Sequence, residues 1–186
     1  MSFSFTIPAD KPILDEELFS AIGEDDLRMH AVSDEEPKLL SSQHHFYLED
    51  VSCRGIHLEW EGNKYCVRIN YPNAREDFEL GLKTAEALGK HYNAEIEGES
   101  PQKAFPVSDF RKTFDDNWVT EQCRVGADIV LDRASKETDG NVLSLPGPVR
   151  PFYIGTRLAQ EISRTQRAGC GGKCQAETIP AGPVVR

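Results

Sequence analysis

The sequence lacks the long apolar runs that carry a chain through a membrane. No stretch approaches the roughly 20 consecutive apolar residues of a transmembrane helix. The N-terminal segment MSFSFTIPADKPILDEE has neither the basic start nor the apolar stretch of a secretory signal. We therefore expect a cytoplasmic protein that has no membrane partner.

The common catalytic signatures are missing as well. The sequence contains no G-x-S-x-G nucleophile elbow, no H-E-x-x-H motif, no G-x-G-x-x-G dinucleotide loop and no EF-hand loop. Carboxylates are abundant, but no spacing singles out an acid–base pair. These absences favour a non-enzymatic protein and leave an enzyme as an alternative.

Cysteine is too scarce to suggest a disulfide framework. The chain has 186 residues and five cysteines, an odd number, and a domain of that length buries enough surface to fold without cross-links. We expect free thiols. One spacing is suggestive, because the segment CGGKC places Cys170 and Cys174 close enough to form half of a zinc site.

Other interpretations of the CGGKC segment fail on spacing. A thioredoxin-like pair has one intervening residue fewer, and a phosphate loop would need glycine where Arg167 stands. Zinc would need two further ligands, which the neighbouring sequence does not offer. We therefore predict no cofactor. A small metal- or thiol-dependent protein that uses Cys170 and Cys174 remains an alternative.

Negative charge is concentrated in the first half of the chain. Residues 1–100 carry 9 Lys and Arg against 21 Asp and Glu, a charge of −12, whereas residues 101–186 carry 12 against 10, a charge of +2. The net charge of −10 therefore originates entirely in the first part of the chain. Such a surface repels phosphate backbones, which argues against nucleic-acid binding, and attracts basic proteins. It serves either solubility alone or a basic partner. The candidate partner-binding residues in this half are Asp25, Asp26, Glu35 and Glu36.

The segment 55–71 has the pattern of a β-hairpin. Gly62-Asn63 suits a two-residue turn, which places Glu61 opposite Lys64 and fixes the register of the two strands. The facing pairs on one side of the hairpin are then Trp60–Tyr65, Leu58–Val67 and Ile56–Ile69. The pairs on the other side are His57–Arg68 and Glu59–Cys66. A slip of one residue would mix apolar with polar side chains, so the register is well specified.

The polar side of this hairpin is a second candidate binding surface. His57, Glu59 and Arg68 would contact a partner there or, in the enzymatic alternative, form an active site. His57 and Glu59 would lie roughly 7 Å apart on one strand, which is loose for a catalytic dyad. A third strand is predicted in QHHFYLEDV, where the adjacent His44 and His45 point to opposite faces and cannot share a metal.

Two helices are predicted to cover the apolar side of the sheet. The first, at 74–91, has an apolar stripe with small residues beside it, and Asn73 with Glu76 resembles a capping pair. The second, at 108–124, carries a four-residue aromatic repeat, which forms either core or the lining of a pocket. The members of that repeat are Phe110, Phe114 and Trp118.

The remaining segments give weaker patterns. Residues 2–7 alternate like a short strand, and Pro12 is placed to open a helix that Gly23 ends. AEIE suits a short strand and GESPQKAFP a connecting loop. ADIVLDR suits either a strand or a continued helix, and a last helix is expected before Gly169.

Together these patterns predict an α+β fold. An antiparallel sheet would be centred on the 55–71 hairpin, with the helices at about 74–91 and 108–124 on one face and further helices at the N- and C-terminal ends. We expect one globular domain over 1–169 and a mobile tail at 170–186. The function favoured is that of a bacterial-type accessory or interaction module, resembling immunity or adaptor proteins in size and acidity, that binds a basic protein partner.

Overall fold

The structure is a computed structural model that describes residues 1–30, 38–136, 143–145, 147 and 151–154. Within these residues a seven-stranded antiparallel sheet is combined with four helices, which is the predicted α+β fold. None of the helices in this part of the chain is both long and apolar enough to cross a membrane.

The seven strands are arranged in the order β2-β3-β4-β5-β1-β6-β7. They are β1 (Ser2–Pro8), β2 (Leu27–His30), β3 (Gln43–Leu48), β4 (Ile56–Trp60), β5 (Lys64–Asn70), β6 (Ile96–Glu99) and β7 (Gln102–Phe105). The helices are α1 (Asp15–Ile22), α2 (Arg75–Tyr92), α3 (Val107–Thr113) and α4 (Asp116–Lys136). A separate two-stranded sheet consists of β8 (Leu143–Leu145) and β9 (Phe152–Ile154).

The predicted hairpin is confirmed residue by residue. Strands β4 and β5 pair with Trp60 opposite Tyr65 and His57 opposite Arg68, and the Glu61 N–H donates to the Lys64 carbonyl at 2.9 Å. Gly62 has φ +85°, a conformation that glycine adopts without steric cost. The turn and the alternating pattern therefore specify the same register.

One face of the sheet is apolar and lies under the helices. The aromatic repeat belongs to the core rather than to a pocket, since Phe110 and Phe114 are fully buried and make edge-to-face contacts with Phe5 of β1. Helix α2 approaches the sheet closely at Gly81, where an added Cβ would lie 2.4 Å from the Ile69 side chain. Small residues on α2 thus allow the close contact that the sequence pattern indicated.

Four local predictions were wrong. The helix expected at 108–124 is two helices, because Phe114 leaves the helical conformation (φ −101°, ψ 63°) and Asp115 accepts the Trp118 N–H at 2.9 Å to start α4. For the segment ADIVLDR, which suited either a strand or a continued helix, the second alternative is confirmed, since the segment continues α4. The segment GESPQKAFP contains β7, and α1 begins at Asp15 rather than at Pro12. The fourth error, the capping role given to Asn73, concerns the loop described below.

Several predicted features lie outside the described residues. These are Glu35, Glu36, the helix expected before Gly169, the tail at 170–186 and its Cys170 and Cys174.

Candidate functional site

The turn after α1 and the end of β3 bring two acidic segments together. Strands β2 and β3 pair in antiparallel register with Leu27 opposite Leu48, and the Glu49 N–H donates to the Asp26 carbonyl at 2.9 Å. Carboxylates that are far apart in the sequence therefore meet at one edge of the sheet. We call this group the acidic corner; its members are Glu24, Asp25, Asp26, Glu49 and Asp50.

The acidic corner keeps a net negative charge after its ion pairs are counted. Arg28 pairs with Glu49 at 2.7 Å, and Lys83 of α2 pairs with Glu24. Five carboxylates against these two cations leave a charge of −3. Asp25 and Asp26 are exposed and form no salt bridge with a described residue. The corner also presents Val51, an apolar side chain that is 47% exposed.

A cleft of about 270 Å³ adjoins the acidic corner. It lies between the end of α1, the end of β3 and the first half of α2. Its lining residues are Glu24, Leu48, Arg75, Glu76, Glu79, Leu80 and Lys83. The two cations are engaged, Lys83 with Glu24 and Arg75 with Asp116, whereas Glu76 is exposed and forms no salt bridge with a described residue. The cleft is thus an acidic recess with leucines in its wall.

The sheet face turned away from the helices is polar, and we call it the polar face. Cross-strand pairing aligns one side chain from each of five strands in a single row: His30, His45, His57, Arg68 and Ser4. The imidazoles of His30 and His45 stack at 5.5 Å between centroids, and those of His45 and His57 at 4.8 Å. Three aromatic rings therefore form a continuous stack from the sheet edge inward, which we call the histidine row.

The environment of the histidine row favours neutral imidazoles. Burial and, to a smaller extent, the neighbouring His45, Arg68 and Arg54 together lower the pKa of His57 to about 4. Burial also lowers the pKa of His45, which bonds through Nε2 to the Arg54 carbonyl at 2.6 Å. Near neutral pH the rings of His45 and His57 are therefore uncharged.

The row does not suit a single metal ion. Stacked imidazoles hold their ring-plane lone pairs side by side instead of converging, and the His45–His57 planes differ by 30°. No group of three His, Cys, Asp or Glu side chains within the described residues is arranged to hold a metal. His44 lies on the opposite face, as predicted, where it pairs with Leu58.

The loop between β3 and β4 is held by two buried polar side chains at the N-terminal end of α2, those of Asp77 and Asn73. The fully buried Asp77 carboxylate accepts the backbone N–H groups of Cys53, Arg54 and Gly55 at 2.9–3.1 Å. Burial raises the pKa of Asp77, and these donors oppose that rise. Asn73 serves the same loop by donating to the Gly55 carbonyl at 2.8 Å. The predicted capping pair was therefore wrong: Asn73 anchors the loop, and Ala74 occupies the N-cap.

The predicted site residues divide into two separate groups. Asp25 and Asp26 lie in the acidic corner, whereas His57, Glu59 and Arg68 lie on the polar face, where Glu59 and Arg68 form an ion pair at 3.6 Å. Sequence reasoning did not identify the corner carboxylates Glu49 and Asp50 or the row members His30 and His45. The alternation in QHHFYLE placed His45 on the face away from Phe46, but only the pairing of β3 with its neighbours shows which side chains it meets.

The geometry gives the enzymatic alternative little support. The cleft near the acidic corner lies away from His57 and Arg68, on the helix side of the sheet. Burial raises the pKa of the Cys66 thiol, which stands opposite Glu59, so this sulfur is poorly suited to act as a thiolate nucleophile.

The comparisons with known proteins give a family without an assigned activity. No curated protein and no solved structure matches the chain. The family whose pattern matches is described as a domain of unknown function, DUF4299, and the match spans residues 2–168. It includes the whole seven-stranded sheet, the acidic corner and the histidine row, and it ends before Cys170. The chain therefore belongs to the DUF4299 family.

Proposed function

We propose that the chain is a non-enzymatic accessory module, immunity- or adaptor-like, that binds a basic protein partner through its acidic surface. The observation that carries the proposal is the acidic corner, in which the β2–β3 pairing assembles carboxylates from two segments into a site with a net charge of −3. Charge of this kind accelerates and orients the association of a complementary protein.

The surroundings of the corner match the composition of a protein interface. The exposed Val51, which follows Asp50 in the chain, supplies an apolar contact beside the charged residues of the corner. The adjoining acidic cleft of about 270 Å³ is large enough for one long basic side chain, whose alkyl part would contact Leu48 and Leu80. We infer that a lysine or arginine of the partner enters this cleft.

The cysteine content and the net charge bear on the cellular compartment and on the class of partner. The five cysteines are an odd number in a chain long enough to fold without cross-links, a use of cysteine that suits the reducing cytoplasm. The net charge of −10 opposes binding to nucleic acid. We therefore propose a cytoplasmic protein whose partner is a polypeptide.

The experiment compares two charge reversals of equal size at opposite edges of the sheet. The tagged full chain is expressed in its own cells as wild type, as Asp25→Lys with Asp26→Lys, and as Glu95→Lys with Glu99→Lys. All four positions are exposed carboxylates, but Glu95 directly precedes β6 and Glu99 is its last residue, far from the corner in the strand order. Quantitative mass spectrometry measures the proteins recovered with each.

We expect about tenfold less of a basic polypeptide to be recovered with the corner variant than with the wild type, because two attractive charges become repulsive. The β6 variant should retain it. Equal recovery with both variants would contradict the proposal. A wild-type chain that recovers no polypeptide but carries a bound metal, lost on truncation after Gly169, would instead support the alternative function at Cys170 and Cys174.

A further inference from the structure

The histidine row connects the outermost strand of the sheet to its interior. His30 is the last residue of β2, which is an edge strand of four residues paired on one side only. Its ring stacks on His45 of β3 at 5.5 Å with an interplanar angle of 9°. Strand β3, by contrast, has a neighbour on each side, and His57 of β4 stacks on the inner face of His45. The His30–His45 contact therefore joins a short edge strand to a strand that is paired on both sides.

Protonation of the row places like charges close together. Two unit charges about 5 Å apart near a protein surface repel strongly enough to separate their protonation steps by about one pH unit. The charged or titratable groups that face the row are Arg28 on β2, Tyr47 on β3, Arg54 in the β3–β4 loop, Glu59 on β4, Cys66 and Arg68 on β5, and Asp77 on α2.

The carboxylates among these groups are already engaged. Asp77 is bonded to three backbone amides, and Glu59 pairs with Arg68 at 3.6 Å. The arginines add repulsion, because Arg54 lowers the pKa of both His45 and His57, and Arg68 lowers that of His57. Within the part of the chain that the structure describes, a proton added to the row thus meets the cations Arg54 and Arg68 on its inner side, where Glu59 is already paired.

Separation of β2 from β3 would relieve this repulsion. His45 would lose its neighbour His30 and gain contact with water, and these two changes remove causes that lower the pKa of His45 in the closed sheet. The separated form therefore binds protons more tightly than the closed form. By linkage, a fall in pH shifts the population toward the separated form.

We propose that the histidine row is an acid-sensitive latch that releases the edge strand β2 from β3. The inner strands remain paired, since β4 and β5 have neighbours on both sides. The acidic corner is built on the Asp26–Glu49 backbone bond at the start of β2, so release of β2 also takes the corner apart. The latch itself does not depend on the proposed function and is tested without a partner.

The experiment is hydrogen exchange of the full-length chain at about pH 7.5 and about pH 4.5, corrected for the intrinsic effect of pH on exchange. His30→Gln removes the titrating ring at the edge, and His91→Gln is the matched control, because His91 is an exposed histidine at the end of α2. His30 is also exposed, and circular dichroism at neutral pH verifies that both variants keep the fold.

We expect the β2 amides of the wild type to exchange about tenfold faster at the lower pH, whereas amides that join β1 to β5 keep their protection. His30→Gln should remove most of this acceleration, and His91→Gln should leave it intact. Unchanged β2 protection in the wild type would overturn the proposal. So would acceleration spread over the whole sheet, or acceleration that persists in His30→Gln.

Discussion

The two faces of the central sheet follow different rules, although the same strands supply both. On the helix-covered face, Phe5, Leu58 and Val67 are fully buried, and their positions follow from strict alternation along each strand. On the polar face, His45, His57 and Arg68 are only partly buried. The helix-covered face stabilises the fold through apolar contacts, whereas the polar face keeps titratable groups that are partly desolvated. Titratable groups of this kind are common at functional sites.

The largest effect should come from breaking the helix-covered face. Phe114 is fully buried, and its ring centroid lies 4.9–5.3 Å from the centroids of four other rings. These are the rings of Phe5, Phe105, Phe110 and Trp118. Replacing a buried phenylalanine by alanine costs about 3–5 kcal/mol in the free energy of unfolding. We expect Phe114→Ala to lower stability by this amount in urea unfolding.

A matched control for this change is Leu39→Ala. Leu39 is apolar but 50% exposed, so its truncation should cost no more than about 0.5 kcal/mol. Similar losses for both variants would show that the aromatic cluster does not form the centre of the core.

The next largest effect should come from the loop that joins β3 to β4. Asp77→Ala removes the acceptor of the Cys53 and Gly55 N–H groups and one of two acceptors of the Arg54 N–H, which keeps its bond to Asn73 Oδ1 at 3.1 Å. We expect a loss of about 3 kcal/mol in the free energy of unfolding, because buried donors without partners are costly. Glu76→Ala at the neighbouring, exposed position should change stability by less than about 0.5 kcal/mol. Equal losses in the two variants would contradict the role given to Asp77.

The contribution of the polar face should appear in how the free energy of unfolding changes with pH, rather than in its value at neutral pH. The pKa of His57 is lowered from 6.5 to about 4, so the unfolded chain binds a proton more readily than the folded chain between these values. The stabilisation from the neutral ring is therefore fully present above about pH 6.5 and is lost as the pH falls toward 4. For a half-exposed group, screening by solvent reduces the effect to about 1 kcal/mol.

His57→Gln isolates this contribution, because glutamine keeps a polar side chain without a titrating ring. We expect the variant to lose about 1 kcal/mol less than the wild type when the free energy of unfolding is compared at about pH 7 and about pH 4.5. His91→Gln should behave like the wild type. The same pH slope in all three proteins would contradict the lowered pKa of His57.

The contrast between the faces also explains what the sequence could predict. The β4–β5 hairpin was predicted to the residue, because a glycine-asparagine turn and an apolar alternation independently specified one register. Strand β2 was not predicted: LRMH alternates apolar and polar residues, but four residues are too few for the alternation to single out a strand. It forms one because Leu27 is buried and its backbone pairs with β3. Strand β7 was missed because its polar residues resemble a loop.

The candidate site was predicted only in fragments for the same reason. Asp25 and Asp26 were identified from their charge, and His57 and Arg68 from the hairpin register. The acidic corner and the histidine row both depend on the pairing of β2 with β3, a contact between segments about 20 residues apart that local pattern does not encode. Side chains facing away from a core carry no periodic signal of their own partners.

The measurement that tests the central claim most directly is native mass spectrometry of the full chain, purified gently from its own cells without chelator. We predict an additional mass from a basic polypeptide that dissociates as the ammonium acetate concentration rises, since the attraction is electrostatic and screened by salt. The complex should be absent from the variant that combines Asp25→Lys with Asp26→Lys. A bare subunit, or a complex that survives both the added salt and the charge reversal, would contradict the claim that the acidic corner binds a basic partner.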